Sequence, residues 1–402
     1  MSFLFSRKPK TPPELVRTLN DILTRIDSGN ADRRKLVDEC SKILAQIKVI
    51  LCGDQDSDPI PDQIALFAQE AYQSDILLLL VANLPSLEFD SRKEVVVIFS
   101  TLLRRQIGNH SPTIDFLSNN TKLFDALIIA CSNYDVALTA GIILRDCIKH
   151  EALVKMVLKS PAFWTLFDTV SKAPFEIATD AFSTITDALT LHPHIAGEFL
   201  SNNQAKFVDK MNMLMKSDNY VTKRQSLKLI AQLIRQRSNY TFMTTYVNDV
   251  NNLRLVMTLM RNKSQNIKFE AFQIFKIFVA NPKKTRPVED TLIKNQVKLI
   301  DFLNNFKFPD QKKEDEQFND EKKFVISKLS TLTPLSPGSS ASTTSTATPT
   351  STSTTPTSTG TSYQPDASGI SVNPLSTPLP TAPAPVVNSE PVHLNEQILH
   401  YK

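Results

Sequence analysis

Four cysteines, two neighbouring histidines and a run of aspartates are the residues whose chemistry could be catalytic or metal-binding. Cys40, Cys52, Cys131 and Cys147 lack the close spacing of zinc ligands or of a redox pair. They read as buried, inert thiols of a reducing compartment. His192 and His194 flank Pro193, which blocks the i, i+4 helical geometry of a zinc pair, so a loop between helices is expected there. Asp54, Asp56 and Asp58 imitate the opening of a calcium loop. That loop needs glycine at its sixth position and glutamate at its twelfth, where Pro59 and Ala65 stand, so a polar turn is expected. With no Gly-x-Ser-x-Gly elbow, Walker loop or kinase signature, the chain reads as a non-enzyme with no metal and no cofactor.

One exposed ridge looks purposeful. In the segment 219–235, Tyr220, Arg224, Lys228 and Arg235 fall within an arc of about 80° on a helix. Leu229, Ile230 and Leu233 take the opposite side, towards the core. Ala231 lies among the ridge residues and is expected to leave room between them. An aromatic, an arginine and a lysine around a small residue make a cradle for a carboxylate beside an apolar side chain, since the guanidinium fork pairs with a carboxylate through two hydrogen bonds.

The elements that position this ridge are helices. Only five glycines (Gly29, Gly53, Gly108, Gly141, Gly197) precede residue 330, which argues against phosphate loops, dinucleotide fingerprints and tight hairpins. Leu15, Leu19, Ile22, Leu23 and Ile26 recur at helical spacing, as do Leu36, Val37, Cys40, Ile43, Leu44, Ile47, Ile50 and Leu51. The apolar run 95–99 could be a strand taken alone, but Asp90-Ser91 before it and Arg104-Arg105 after it favour a capped helix. Four similar segments have their second residues at 141, 181, 226 and 271, a period of about 40–47 residues. That period marks an all-α, armadillo/HEAT-like helical repeat solenoid, in which each repeat buries its apolar face on its neighbours.

Three regions follow: an N-terminal arm 1–10, a helical repeat domain 11–329, and a Ser/Thr/Pro-rich tail 330–402. Of the 60 residues from Ser330 to Ser389, 29 are Ser or Thr and one is charged, too little apolar surface to offset ordering, so the tail is expected to be disordered. The first 329 residues carry 44 bases against 38 acids, a mild excess that excludes a dedicated nucleic-acid binder. The longest apolar run, 76–82, is far short of the roughly 20 residues of a membrane span. A cytoplasmic protein is expected, binding neither nucleic acid nor membrane.

The string 219–229, Asn-Tyr-Val-Thr-Lys-Arg-Gln-Ser-Leu-Lys-Leu, closely resembles the calcium-binding protein 39 family, also called mouse protein 25, a scaffold for protein kinases. Leu103-Arg-Arg-Gln-Ile-Gly108, Asn266-Ile-Lys-Phe-Glu-Ala-Phe272, Phe278-Val-Ala-Asn-Pro282 and the run 314–322 carry the same resemblance, which spans roughly residues 1–329. It implies binding to sterile-20-type protein kinases and to a pseudokinase adaptor, and so help in activating a liver-kinase-B-type kinase. It also implies a pocket for a Trp-Glu-Phe motif from the partner's tail, made of Phe175, Tyr220, Arg224, Lys228 and Met257. Arg237 and Tyr240 are implied to touch a bound kinase domain, although the family tends to Phe where Tyr240 stands. The alternative is a general armadillo adaptor for extended peptides in transport or polarity. The single tryptophan, Trp164, argues against the version whose groove is lined with repeated tryptophans.

Overall fold

The computed structural model describes residues 10–26, 32–55, 58–307 and 316–333. The arm 1–9, Asp56, the start of the 314–322 run and the tail beyond residue 333 lie outside the described residues. Within them stand eighteen α-helices and three short 3-10 turns, with no β-strand beyond one isolated bridge between Ile107 and His110. Gly108, at φ 59°, makes the tight reversal of that bridge, a conformation that glycine adopts without strain. The run 95–99 is helical, inside Phe89–Arg104.

Local chemistry explains where many helices begin. Asn120, Asn219, Asp249 and Ser264 each accept a backbone N–H of the following turn through a side-chain oxygen. Proline opens the helices Pro61–Gln73, Pro112–Leu117 and Pro193–Lys216, where its missing N–H is not needed. His192 and Pro193 thus begin a helix, and the His192 ring nitrogen Nε2 meets the Ile148 carbonyl at 2.9 Å.

The repeat found in the sequence becomes one layer of the molecule. Helices Arg33–Cys52, Phe89–Arg104, Ala137–Ile148, Phe175–Thr190, Tyr220–Arg235, Gln265–Ala280 and Glu316–Ser330 each pack on the next, like the rungs of a ladder. The remaining helices cover the other side of this layer and close the core. Gly141, Ala181, Ser226 and Ala271, the equivalent positions of the repeat, are all buried where successive rungs meet. Their smallness has a reason at Gly141, where a Cβ would collide with the Asp180 carboxylate of the next rung.

Polar links fix the register between rungs. Arg145 pairs with Asp180 at 2.7 Å, Arg224 with Glu270 at 3.3 Å and Lys276 with Glu321 at 2.6 Å. Near its start, the Phe89–Arg104 rung reaches the Asp135 carbonyl through Arg92 at 2.6 Å, and near its end Ser100 donates to Asp146 at 2.6 Å. Start meets start and end meets end, so these rungs run parallel. Tyr220 with Asn266, followed one turn later by Arg224 with Glu270, gives the same order further along.

Two expectations need correction. Cys40, Cys131 and Cys147 are buried, and burial pushes each thiol up to about 12. Cys52 is exposed instead. The buried stripe of its helix runs through Cys40, Ile43, Leu44, Ile47 and Leu51, and Cys52 falls one residue off it. Ala231 is only 2% exposed, so it leaves no open space on the ridge.

Candidate partner-binding site

Asn219 sets the ridge. Its side-chain oxygen accepts from the N–H groups of Val221 and Thr222, which makes Tyr220 the first residue of its helix and brings Arg224 and Lys228 onto the same face, one and two turns on. The Gln265–Ala280 rung supports this face from the side. Asn266 Nδ2 donates to the Tyr220 hydroxyl at 3.1 Å, and Arg224 Nε donates to Glu270 Oε1 at 3.3 Å. Glu270 is almost covered while Arg224 remains 40% exposed. Burial pushes the Glu270 carboxyl above its ordinary range, against the pull of Arg224, Lys228 and Arg235. One buried anion therefore sits among three cations, and the ridge stays net positive.

Phe175 begins the preceding rung and is 58% exposed. It borders a shallow groove with Ala178, Thr179 and Phe182 on its own helix and Val221 and Thr222 across from it. Phe175, Tyr220, Arg224 and Lys228 thus belong to two adjacent rungs.

Met257 does not join them. It lines a separate cleft of about 650 Å³ between the helices Val250–Leu259 and Arg286–Asn305, and no residue of the Tyr220–Arg235 helix contributes to it. Four bases, Arg254, Arg261, Lys294 and Lys298, surround this cleft, and none of its lining residues is acidic. Met257, Leu299 and Phe302 give it apolar wall. Of the five residues grouped by family resemblance, Met257 thus lines this cleft from a helix outside the ladder, while the other four stand on two adjacent rungs. Sequence reasoning missed the bases and Phe302. The signal available was the stripe Thr291, Lys294, Lys298 and Phe302 at helical spacing, which in a sequence looks like an ordinary solvated face.

Arg237 and Tyr240 flank the turn that leaves the Tyr220–Arg235 rung, and both are exposed. Asn239 between them is 1% exposed and donates to the Leu233 carbonyl at 3.0 Å, which anchors the turn. Gly197 lets the turn approach its helix, since a Cβ there would lie 2.5 Å from the Ser238 carbonyl oxygen.

A ladder of parallel helices with a positive aromatic ridge, an anchored turn and a basic cleft defines the class: an all-α helical-repeat protein. The chain belongs to the Mo25-like family, whose sequence model matches residues 3–333. It is 43% identical over 332 residues to a Mo25-like protein of Schizosaccharomyces pombe, covering 83% of this chain and all of that one. It is 42% identical over 334 residues to a calcium-binding protein 39-like protein of Mus musculus, covering 83% of this chain and 98% of the relative. Among solved structures, a designed armadillo repeat protein in complex with a (KR)4 peptide is similar at a TM-score of 0.39 and 13% identity, over 67% of this chain and all of that one. Membership of this family supports a scaffold or adaptor role for the chain.

Proposed function

We propose that this protein is a non-catalytic cytoplasmic scaffold that binds and allosterically activates sterile-20-type protein kinases. The same scaffold holds a pseudokinase adaptor that serves a liver-kinase-B-type kinase. Two surfaces share the work. The Met257 cleft takes the Trp-Glu-Phe tail of the partner, while Phe175, Tyr220, Arg224 and Lys228, with Arg237 and Tyr240, face the folded kinase domain. The observation that carries this reading is the cleft itself, with four bases, no acid and an apolar wall of Met257, Leu299 and Phe302. Two aromatic side chains find hydrophobic wall there, and the glutamate between them finds only positive charge. Activation follows if the ridge binds the active arrangement of the kinase domain better than the inactive one.

The test separates the surfaces. A labelled Trp-Glu-Phe peptide and a sterile-20-type kinase domain lacking its tail are titrated against Met257→Ala and Arg224→Ala. Met257→Ala is expected to weaken the peptide alone, and Arg224→Ala to weaken the kinase domain by roughly 30-fold, since an arginine hot spot is worth about 2 kcal/mol or more. Parent-like binding by both folded variants would refute the assignment.

A further inference from the structure

Glu270 lies inside the positive cluster that the proposed function assigns to a partner's acidic group, and a buried carboxylate there demands an explanation. It faces Arg224, Lys228 and Arg235, and among the described residues Arg224 alone is hydrogen-bonded to it. That bond uses Nε of the guanidinium. No other hydrogen bond engages Arg224 among the described residues, which leaves the two terminal nitrogens of this 40% exposed side chain as a fork that matches a carboxylate. An exposed arginine otherwise samples many rotamers and loses that freedom when it binds. The Tyr220 ring beside it is held in the same way, by Asn266 one turn before Glu270.

Resting on the reading of the ridge as the kinase-facing surface, we infer that Glu270 is its positioning residue. Its carboxylate holds Arg224 by Nε and aims the free fork at an acidic side chain on the partner's folded domain. The partner's carboxylate and Glu270 then share one guanidinium from two sides, a closed arrangement in which Lys228 and Arg235 balance the second negative charge. The Gln265–Ala280 rung contributes to specificity without touching the partner, because Asn266 and Glu270 set the geometry of Tyr220 and Arg224. Glu270 does not serve as a mere charge, since three cations surround it and neutralising it only makes the ridge more positive.

Two substitutions of equal charge and similar size separate positioning from charge. Glu270→Gln keeps an oxygen acceptor for Arg224 Nε, whereas Glu270→Met removes it and fills the same space; Glu270→Ala replaces the latter if it does not fold. The probe is the sterile-20-type kinase domain lacking its tail, and melting temperatures confirm that the variants are folded. Glu270→Gln is expected to bind as tightly as the parent or tighter, with a steeper salt dependence, and Glu270→Met about tenfold more weakly than Glu270→Gln. Equal affinities of the two variants would overturn the positioning role while leaving the ridge reading intact. An Arg224→Ala variant that binds like the parent would instead remove the ridge reading, and this inference with it.

Discussion

At the scale of single residues, the ion pair that fastens the last rung is the most exposed to mutation. Lys276 is 2% and Glu321 9% exposed, at 2.6 Å from one another. Removing Glu321 takes away a carboxylate 2.6 Å from the nearly buried Lys276 ammonium, so Glu321→Ala is expected to destabilise the fold by about 1–3 kcal/mol in urea unfolding. Replacing both by apolar residues of similar size should recover most of that loss. In the cleft, Met257→Ala is expected to weaken the Trp-Glu-Phe peptide by about 1–3 kcal/mol with little salt dependence, because packing is lost and no charge changes. Lys298→Ala should show the opposite signature, a smaller loss that fades at high salt, as titrations at two ionic strengths would show. The ridge residues were legible because one helical period brings Tyr220, Arg224 and Lys228 together. Their partners Asn266 and Glu270 were not, since nothing in a single sequence ties a polar residue to another more than forty positions away.

Secondary elements show a different balance between what could and could not be read. Periodicity marked the rungs and the spacing of their small residues marked the repeat, whereas Asp90 and Ser91 lie inside the Phe89–Arg104 helix rather than capping it. The long helix Pro193–Lys216 carries Ser201-Asn-Asn203 at its middle, residue types that compete with the helix by bonding to their own backbone. The backbone does leave helical geometry at Asn203, at φ −123° and ψ 19°, yet helix resumes after it, with the Asn203 side chain donating to the Phe199 carbonyl at 2.9 Å. This helix also carries Gly197, whose close approach to Ser238 places the turn of Arg237 and Tyr240. Gly197→Ala must push that turn aside. It is expected to lower the melting temperature by a few degrees and to weaken the kinase domain while sparing the Trp-Glu-Phe peptide, a split that parallel titrations would reveal. Equal loss for both ligands would mean that the turn and the cleft move together.

Across the whole ladder, each rung finds its neighbours in the adjacent repeats, so damage should stay local. Phe124, fully buried in the helix Thr121–Ala130, tests this. Phe124→Ala is expected to destabilise by about 3–5 kcal/mol. Hydrogen exchange should rise in the helices around it and remain unchanged in Arg286–Asn305, and uniform deprotection would show that the stack unfolds as one unit. The parallel course of the rungs has an electrical consequence. Peptide dipoles that point the same way add rather than cancel, each helix presenting about half a positive charge at its start and half a negative charge at its end. Phe175 and Tyr220 begin their rungs on the electropositive border of the layer, whereas Arg104 and Arg235 close theirs on the opposite border, where cations are favoured. The layer is therefore polarised across its width, and a charged partner approaching it experiences a torque before the first contact forms, arriving with one border already facing the correct side.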